Sequence, residues 1–204
     1  MPRRESPPDR ATAAAAPRII GGQLRGRRLE FAPHDRTRPM KDRVRETLFD
    51  LLGPAVRDSL ALDLFAGSGA LGFEALSRGA ARAVFVERHF PTAEVLSRTA
   101  RALGVADRVE VRPGDALAWA KRPLDLPATL PWLVFVSPPW ALFRDRGADL
   151  MALVAALIGG APPGSTFVVE SDESFDPADL PDPASWRTRP LRPAVLHLRE
   201  GLVS

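Results

Sequence analysis

The chain contains no cysteine, and that absence removes several chemistries at once. Structural disulfides and thiolate metal sites are excluded. So is any mechanism that begins with attack by a Cys nucleophile on a pyrimidine ring. Histidine is confined to three isolated positions, His34, His89 and His197, and no metal is expected. No apolar run approaches the ~20 residues of a membrane span. Residues 1–17 lack the apolar core of a secretory signal and read as a disordered tail. A cytoplasmic location is the default expectation. Lysine occurs only at Lys41 and Lys121, so the abundance of Arg partly reflects the bias that also enriches Ala and Pro.

What is present suits one domain with a small appendage: 204 residues, 45% of them hydrophobic, enough to bury a core. The net charge of +3 is unevenly placed. Residues 1–45 carry 12 Lys and Arg against 5 Asp and Glu, while the remainder carries 16 against 20. A basic arm on a slightly acidic body points to a polyanionic partner, a nucleic acid first.

Arg18–Gly22 and Leu24–Phe31 read as two short strands around a glycine turn. Asp42–Leu52 reads as a helix with Val44, Leu48, Leu51 and Leu52 on one face, Asp42 as its cap and Gly53-Pro54 as its stop. Apolar strand patterns follow at Ala61–Ala66, Ala83–Val86, Val109–Val111, Leu133–Val136 and Thr166–Val169. Helical patterns separate them at Ala70–Arg78, Thr92–Leu103, Ala116–Ala120 and Asp149–Ile158. This alternation predicts a parallel sheet covered on both faces. Ala194–Arg199 reads as a last strand, with Pro190 and Pro193 suggesting an edge or hairpin position. The expected organisation is a tail over 1–17, a basic hairpin and linker over 18–41, and the main domain over 42–204.

The strongest local signal is Asp63-Leu64-Phe65-Ala66-Gly67-Ser68-Gly69-Ala70-Leu71-Gly72, a strand entering a G-x-G-x-x-G turn that opens a helix. Glu87 stands 20 residues after Gly67 at a strand end, where an acid can accept both ribose hydroxyls of an adenosine. These features fit a nicotinamide dinucleotide as well as S-adenosylmethionine. Asp63 favours the latter, because a carboxylate four residues before the first glycine can meet an amino-acid group. Asp115, after the third strand, can accept from an adenine amino group or cap the helix that begins at Ala116. Ser68 lacks the G-x-S-x-G spacing of a nucleophile elbow, and no glycine loop continues into G-K-[ST].

Leu133–Val136 runs into Ser137-Pro138-Pro139-Trp140, a rigid corner just past a strand's carboxyl end. An aromatic amine is a poor nucleophile because its lone pair is conjugated with the ring. Acceptors for its hydrogens, here the Ser137 side chain and the Pro138 carbonyl, favour a pyramidal nitrogen. Trp140 can stack on a base taken out of its helix. The pattern resembles that of amino-group methyltransferases.

These residues, together with Arg18-Ile19-Ile20-Gly21-Gly22, Arg25-Gly26-Arg27, Arg38-Pro39, Asp42–Phe49 and Glu74–Gly79, resemble the bacterial 16S rRNA guanine-N2 methyltransferase family from about Arg18 to the C-terminus. The resemblance implies a Rossmann-like class I methyltransferase fold, with a seven-stranded, mostly parallel sheet, one reversed strand, helices on both faces and an N-terminal β-hairpin. It implies S-adenosylmethionine as cofactor, held by Asp63, Phe65, Gly67, Ser68, Gly69, Glu87, Arg88, Asp115 and Ala116. It implies catalysis at Ser137, Pro138, Pro139 and Trp140, and RNA contacts from Arg18, Arg25, Arg27, Arg38, Arg43 and Arg45. The partner implied is 16S rRNA or an assembling small ribosomal subunit, and a monomer suffices. One departure stands out. The family pattern has Asp-Pro-Pro-Phe where this chain has Ser137 and Trp140, and a hydroxyl accepts a hydrogen bond where a carboxylate takes up charge. A substitute acid nearby, such as Asp145, is one way to restore it. The Ser-Pro-Pro-Trp form also resembles enzymes acting on cytosine N4. That alternative stays open, as do a DNA substrate and a non-catalytic RNA-binding homologue.

Overall fold

The computed structural model describes residues 16–30, 40–119 and 125–201. Seven strands form one sheet: β1 (Leu60–Asp63), β2 (Arg82–Glu87), β3 (Val109–Pro113), β4 (Trp132–Val136), β5 (Thr166–Asp172), β6 (Arg187–Leu191) and β7 (Ala194–Glu200). Their order is β3-β2-β1-β4-β5-β7-β6. The pairs β1/β2, β1/β4, β2/β3 and β4/β5 are parallel, and β7 runs antiparallel to both neighbours. This is the expected mostly parallel sheet with one reversed strand.

Among the described residues five α-helices cover it: α1 (Asp42–Leu52), α2 (Ala70–Ser77), α3 (Phe90–Leu103), α4 (Ala116–Trp119) and α5 (Ala141–Gly160). Successive side chains of a strand point to opposite faces. Leu60 and Leu62 join a core with residues of α4 and α5 on one face. Ala61, Phe85 and Phe135 join a core with α1, α2 and α3 on the other. By the same alternation Asp63 faces the α1–α3 side. A ligand crevice is expected outside the carboxyl ends of β1 and β4, where the strand order reverses.

Several expectations need correction. Asp42 does not cap α1; Lys41 is the N-cap, without a side-chain cap bond, and Asp42 is the first helical residue. Its carboxylate is held instead by Arg45 Nη2 at 3.0 Å and Arg18 Nε at 3.1 Å. The last major helix begins eight residues before Asp149, at Ala141, and breaks its helical geometry at Arg146 (φ −145°, ψ 37°). That break leaves no single apolar face running from end to end, which is why periodicity shows only the second half. β6 was not expected. Four of its five residues are exposed, so it carries no apolar run. It is the edge strand and holds Pro190, while β7 lies inside the sheet.

Among the described residues the arm pairs as a short hairpin, with an antiparallel bridge between Arg18 and Arg28 and backbone bonds from Ile19 to Arg27 (2.9 Å), Gly26 to Ile19 (2.8 Å) and Leu29 to Pro17 (2.9 Å). Its turn is anchored on α2. The Glu74 carboxylate accepts the amide hydrogens of Ile20 and Gly21, each at 2.8 Å. Ser77 takes the amide hydrogens of Gln23 through its carbonyl (2.8 Å) and Leu24 through its hydroxyl (2.9 Å). Gly22 sits at φ +75°, and a Cβ there would lie 1.9 Å from the Ser77 carbonyl oxygen. Only glycine allows this approach. Most of the tail expected over 1–17, and the linker residues 31–39, lie outside the described residues.

Candidate active site

β1 delivers Asp63 to the carboxyl edge of the sheet with 2% of its surface exposed. Its Oδ2 accepts the Gly72 amide hydrogen at 3.1 Å, across the loop. Burial pushes this carboxyl up to about 7; the Gly72 hydrogen bond opposes that, and the nearby Glu87 charge adds to it. Among the described residues no Lys or Arg forms an ion pair with Asp63. Gly67 and Gly69 adopt positive φ (49° and 73°), which lets the chain turn from β1 into α2. A Cβ on Gly72 would meet the Phe85 ring at 2.3 Å, so the third glycine serves helix–sheet packing. Phe65 is half-buried and Ser68 is buried in this loop.

Glu87 ends β2, 9% exposed. One carboxylate oxygen accepts the Gly67 amide hydrogen and the other that of His89, both at 2.8 Å. A carboxylate retains further acceptor positions beyond these two bonds. Arg88 and His89 are exposed. Asp115, past β3, caps α4 by accepting the Leu117 amide hydrogen at 2.9 Å. Arg146, at the break in α5, reaches Asp115 at 3.7 Å and Asp149 at 2.7 Å. A pocket of about 250 Å³ opens here, lined by Val86, Arg112, Gly114, Asp115 and Trp119 among others. Ala116 is buried beneath it.

At the end of β4, Pro138 is buried and Pro139 exposed. The Pro139 carbonyl accepts the Leu142 amide hydrogen at 2.8 Å, so the corner runs directly into α5. Trp140 is half-buried and packs against the α1–α3 core. Ser137 is hydrogen-bonded through its hydroxyl to the Glu170 carboxylate on β5. Val136 pairs with Val169, so Ser137 and Glu170 are the next residues out along neighbouring strands. Glu170 was not among the expected site residues. Asp145, the acid suggested by proximity in sequence, is exposed on α5.

The structure therefore gathers Asp63, the glycine loop, Glu87, Asp115 and Ser137 along one edge of β1 to β4. It does not gather the arginines there. Arg45 is 0% exposed, and its assignment as an RNA contact is corrected: a phosphate cannot reach it. Its guanidinium donates to the carbonyls of Arg18 (2.6 Å) and Met40 (3.4 Å) and to Asp42 (3.0 Å), with Glu74 at 3.7 Å. Burial pulls its pKa down, while Asp42 and Glu74 oppose this. Arg18, Arg25, Arg27 and Arg43 are exposed. Arg27 donates to the Ala102 carbonyl near the C-terminal end of α3, so it and Arg25 sit toward the opposite edge from Asp63. Arg38 lies outside the described residues. Phe90, unanticipated, opens α3 with 66% of its surface exposed. Among the described residues, no cluster of three or more His, Asp or Glu could hold a metal, and no helix is long and apolar enough to cross a membrane.

Residues 17–184 match the family model described as conserved hypothetical protein 95. The chain belongs to this family. This member of the conserved hypothetical protein 95 family is 44% identical over 123 residues to ribosomal RNA small subunit methyltransferase D of Escherichia coli (strain K12). The match covers 60% of each chain, so it spans less than two thirds of that curated relative. The fold extends the likeness. A solved structure of the putative methyltransferase yhhF from Escherichia coli matches with a TM-score of 0.73 and 32% identity, over 93% of this chain and 99% of that one. An RNA methyltransferase from Salinibacter ruber, solved in complex with S-adenosyl-L-homocysteine, shares the fold at 22% identity and a TM-score of 0.59, over 82% of this chain and 95% of that one. The conserved hypothetical protein 95 chain thus has the class I methyltransferase fold that the family resemblance implies.

Proposed function

We propose that this chain is an S-adenosylmethionine-dependent RNA methyltransferase that methylates the exocyclic N2 of a guanine in 16S rRNA. The observation that carries the reading is Asp63: a buried carboxylate at the switch point of the sheet, with no cationic side chain paired to it among the described residues. Such a group suits the ammonium of an amino acid and would do little for a pyrophosphate. Around it, Gly67 and Gly69 give the backbone room to approach, Glu87 meets the ribose hydroxyls, and Asp115 meets the adenine while capping α4. The residue set fits S-adenosylmethionine. When bound, it supplies a methyl group whose carbon–sulfur bond breaks as a carbon–nitrogen bond forms, the electron pair leaving with sulfur.

Ser137 and the Pro138 carbonyl accept the amine hydrogens and orient the nitrogen lone pair, and Trp140 bounds the base pocket. Positioning accounts for most of the rate, since the methyl donor arrives already activated. The exposed Arg18, Arg25, Arg27 and Arg43 meet phosphates and set register rather than sequence. The named relatives, which are ribosomal RNA methyltransferases, support the substrate class.

The test is to incubate the protein with labelled S-adenosylmethionine and undermodified small ribosomal subunits, digest the RNA and identify the nucleoside by mass spectrometry. N2-methylguanosine is expected. N4-methylcytidine would move the substrate to another base, the outcome that the Ser-Pro-Pro-Trp form favours. RNA binding with cofactor bound and no product would leave a non-catalytic homologue.

A further inference from the structure

The Ser-for-Asp departure removes a carboxylate from the corner, yet the structure puts one back from a different strand. β5 lies beside β4 in parallel register, Val136 against Val169, and the next pair outward is Ser137 and Glu170. Glu170 is 8% exposed and takes the Ser137 hydroxyl hydrogen. With its hydrogen committed to Glu170, the Ser137 oxygen can turn only lone pairs toward an incoming amine. The alternation of β5, with Phe167 and Val169 in one core and Val168 in the other, puts Glu170 on the same sheet face as Asp63.

We propose that Glu170 is the proton acceptor for the amine, acting through Ser137, so that the pair performs the work of a single carboxylate. The inference rests on the proposed amine methylation. As the nitrogen lone pair becomes the new nitrogen–carbon bond, the nitrogen gains positive charge and must lose one hydrogen. That proton passes to the Ser137 oxygen as the Ser137 hydroxyl proton passes to Glu170. The hydroxyl is regenerated, the carboxylate becomes a carboxylic acid, and it later returns the proton to water. Glu170 is a positioning residue in this scheme, since it reaches the amine only through Ser137.

The absence of cysteine provides a direct probe. A Ser137→Cys variant carries one thiol, placed against Glu170. A neighbouring carboxylate disfavours thiolate, so its alkylation midpoint should fall by about one pH unit or more when Glu170→Gln is added. In turnover, Glu170→Gln should lower kcat by about 10²-fold with KM and adenosylhomocysteine affinity unchanged. Ser137→Asp added to Glu170→Gln should restore turnover, because a carboxylate then meets the amine directly; a purely structural role for Glu170 predicts no such rescue. Wild-type kcat in Glu170→Gln, or a thiol midpoint indifferent to residue 170, overturns the relay and leaves the proposed reaction standing. N4-methylcytidine as product, with Glu170→Gln still impaired and rescued, keeps the relay and moves the base. No methylated nucleoside from the wild type with cofactor bound overturns both.

Discussion

The Asp63 carboxylate and the Gly72 amide stand 3.1 Å apart, a single hydrogen bond joining the end of β1 to the first turn of α2. It does not offset the burial that pushes the carboxyl up to about 7. The folded chain therefore keeps a proton that the unfolded chain, at 3.8, has already given up. The sign follows: this group's contribution to stability is full below about pH 4 and is lost as pH rises through about 7.

A ligand ammonium beside Asp63 favours the charged form and expels that proton. Adenosylhomocysteine should therefore bind more tightly as pH rises from about 5 to about 7, then level off. Calorimetry in buffers of different ionisation enthalpy measures the proton release; an affinity flat across that window would disconnect Asp63 from the ligand's charge. Asp63→Ala should weaken binding by about 10- to 100-fold.

Arg45 is a structural cation. Arg45→Met leaves Asp42 to Arg18 and Glu74 to Arg78 but removes the donor to the Arg18 and Met40 carbonyls, and should lower stability by about 1–3 kcal/mol in denaturant titration. Arg43→Ala, at an exposed site on the same helix, should leave the unfolding midpoint unchanged and weaken RNA binding with a shallower salt dependence. The reverse assignment would show an unaltered midpoint for Arg45→Met.

Asp115 caps α4, and the proposed function gives it a second, separable job at the adenine. Asp115→Ala removes the cap of α4 and should cost about 1 kcal/mol, whereas Asp115→Ser keeps a capping oxygen and should be nearly neutral. Both should weaken adenosylhomocysteine binding, because neither offers a carboxylate to the adenine. Parallel melts and titrations of the two variants separate capping from recognition; tight binding by Asp115→Ser would leave capping as the only role.

His197 is 0% exposed, bonded to Thr188 at 2.9 Å and Ser171 at 3.0 Å. Burial lowers its pKa from 6.5 to about 4. The unfolded chain takes up the proton first, so stability is full above about pH 6.5 and falls by roughly 2 kcal/mol by pH 5. Urea midpoints at the two pH values should show this loss, and His197→Gln should reduce it while lowering stability by about 1–3 kcal/mol at neutral pH.

The parallel core was legible because β1, β4 and most of β2 and β5 are buried and read as unbroken apolar runs between helices. The glycine loop and its acids followed from ligand chemistry. β6 was not legible: an edge strand reading Arg-Thr-Arg-Pro-Leu has little apolar surface to announce it. The hairpin of the arm was legible in its glycine turn, but its anchorage was not, because Glu74 and Ser77, which hold the turn, lie more than 50 residues away in sequence. The burial of Arg45 left a trace, since it falls three, four and seven residues before Leu48, Phe49 and Leu52 on the inward face of α1. Glu170 needed the strand order, since nothing in Thr166–Val169 says that β5 lies beside β4.

The position of β7 bears on how the chain is made. Translation delivers Asp63, the glycine loop, Glu87, Asp115 and the Ser137 corner long before residues 194–200. Until those emerge, β5 is the outer strand of a five-stranded sheet, with its backbone donors and acceptors along Thr166–Asp172 open to any passing strand. The nascent protein thus passes through a stage at which the residues of the candidate site are all present but the sheet is sticky. A ribosome stalled, or a message cut, just short of β7 would release a product more prone to aggregate than to work.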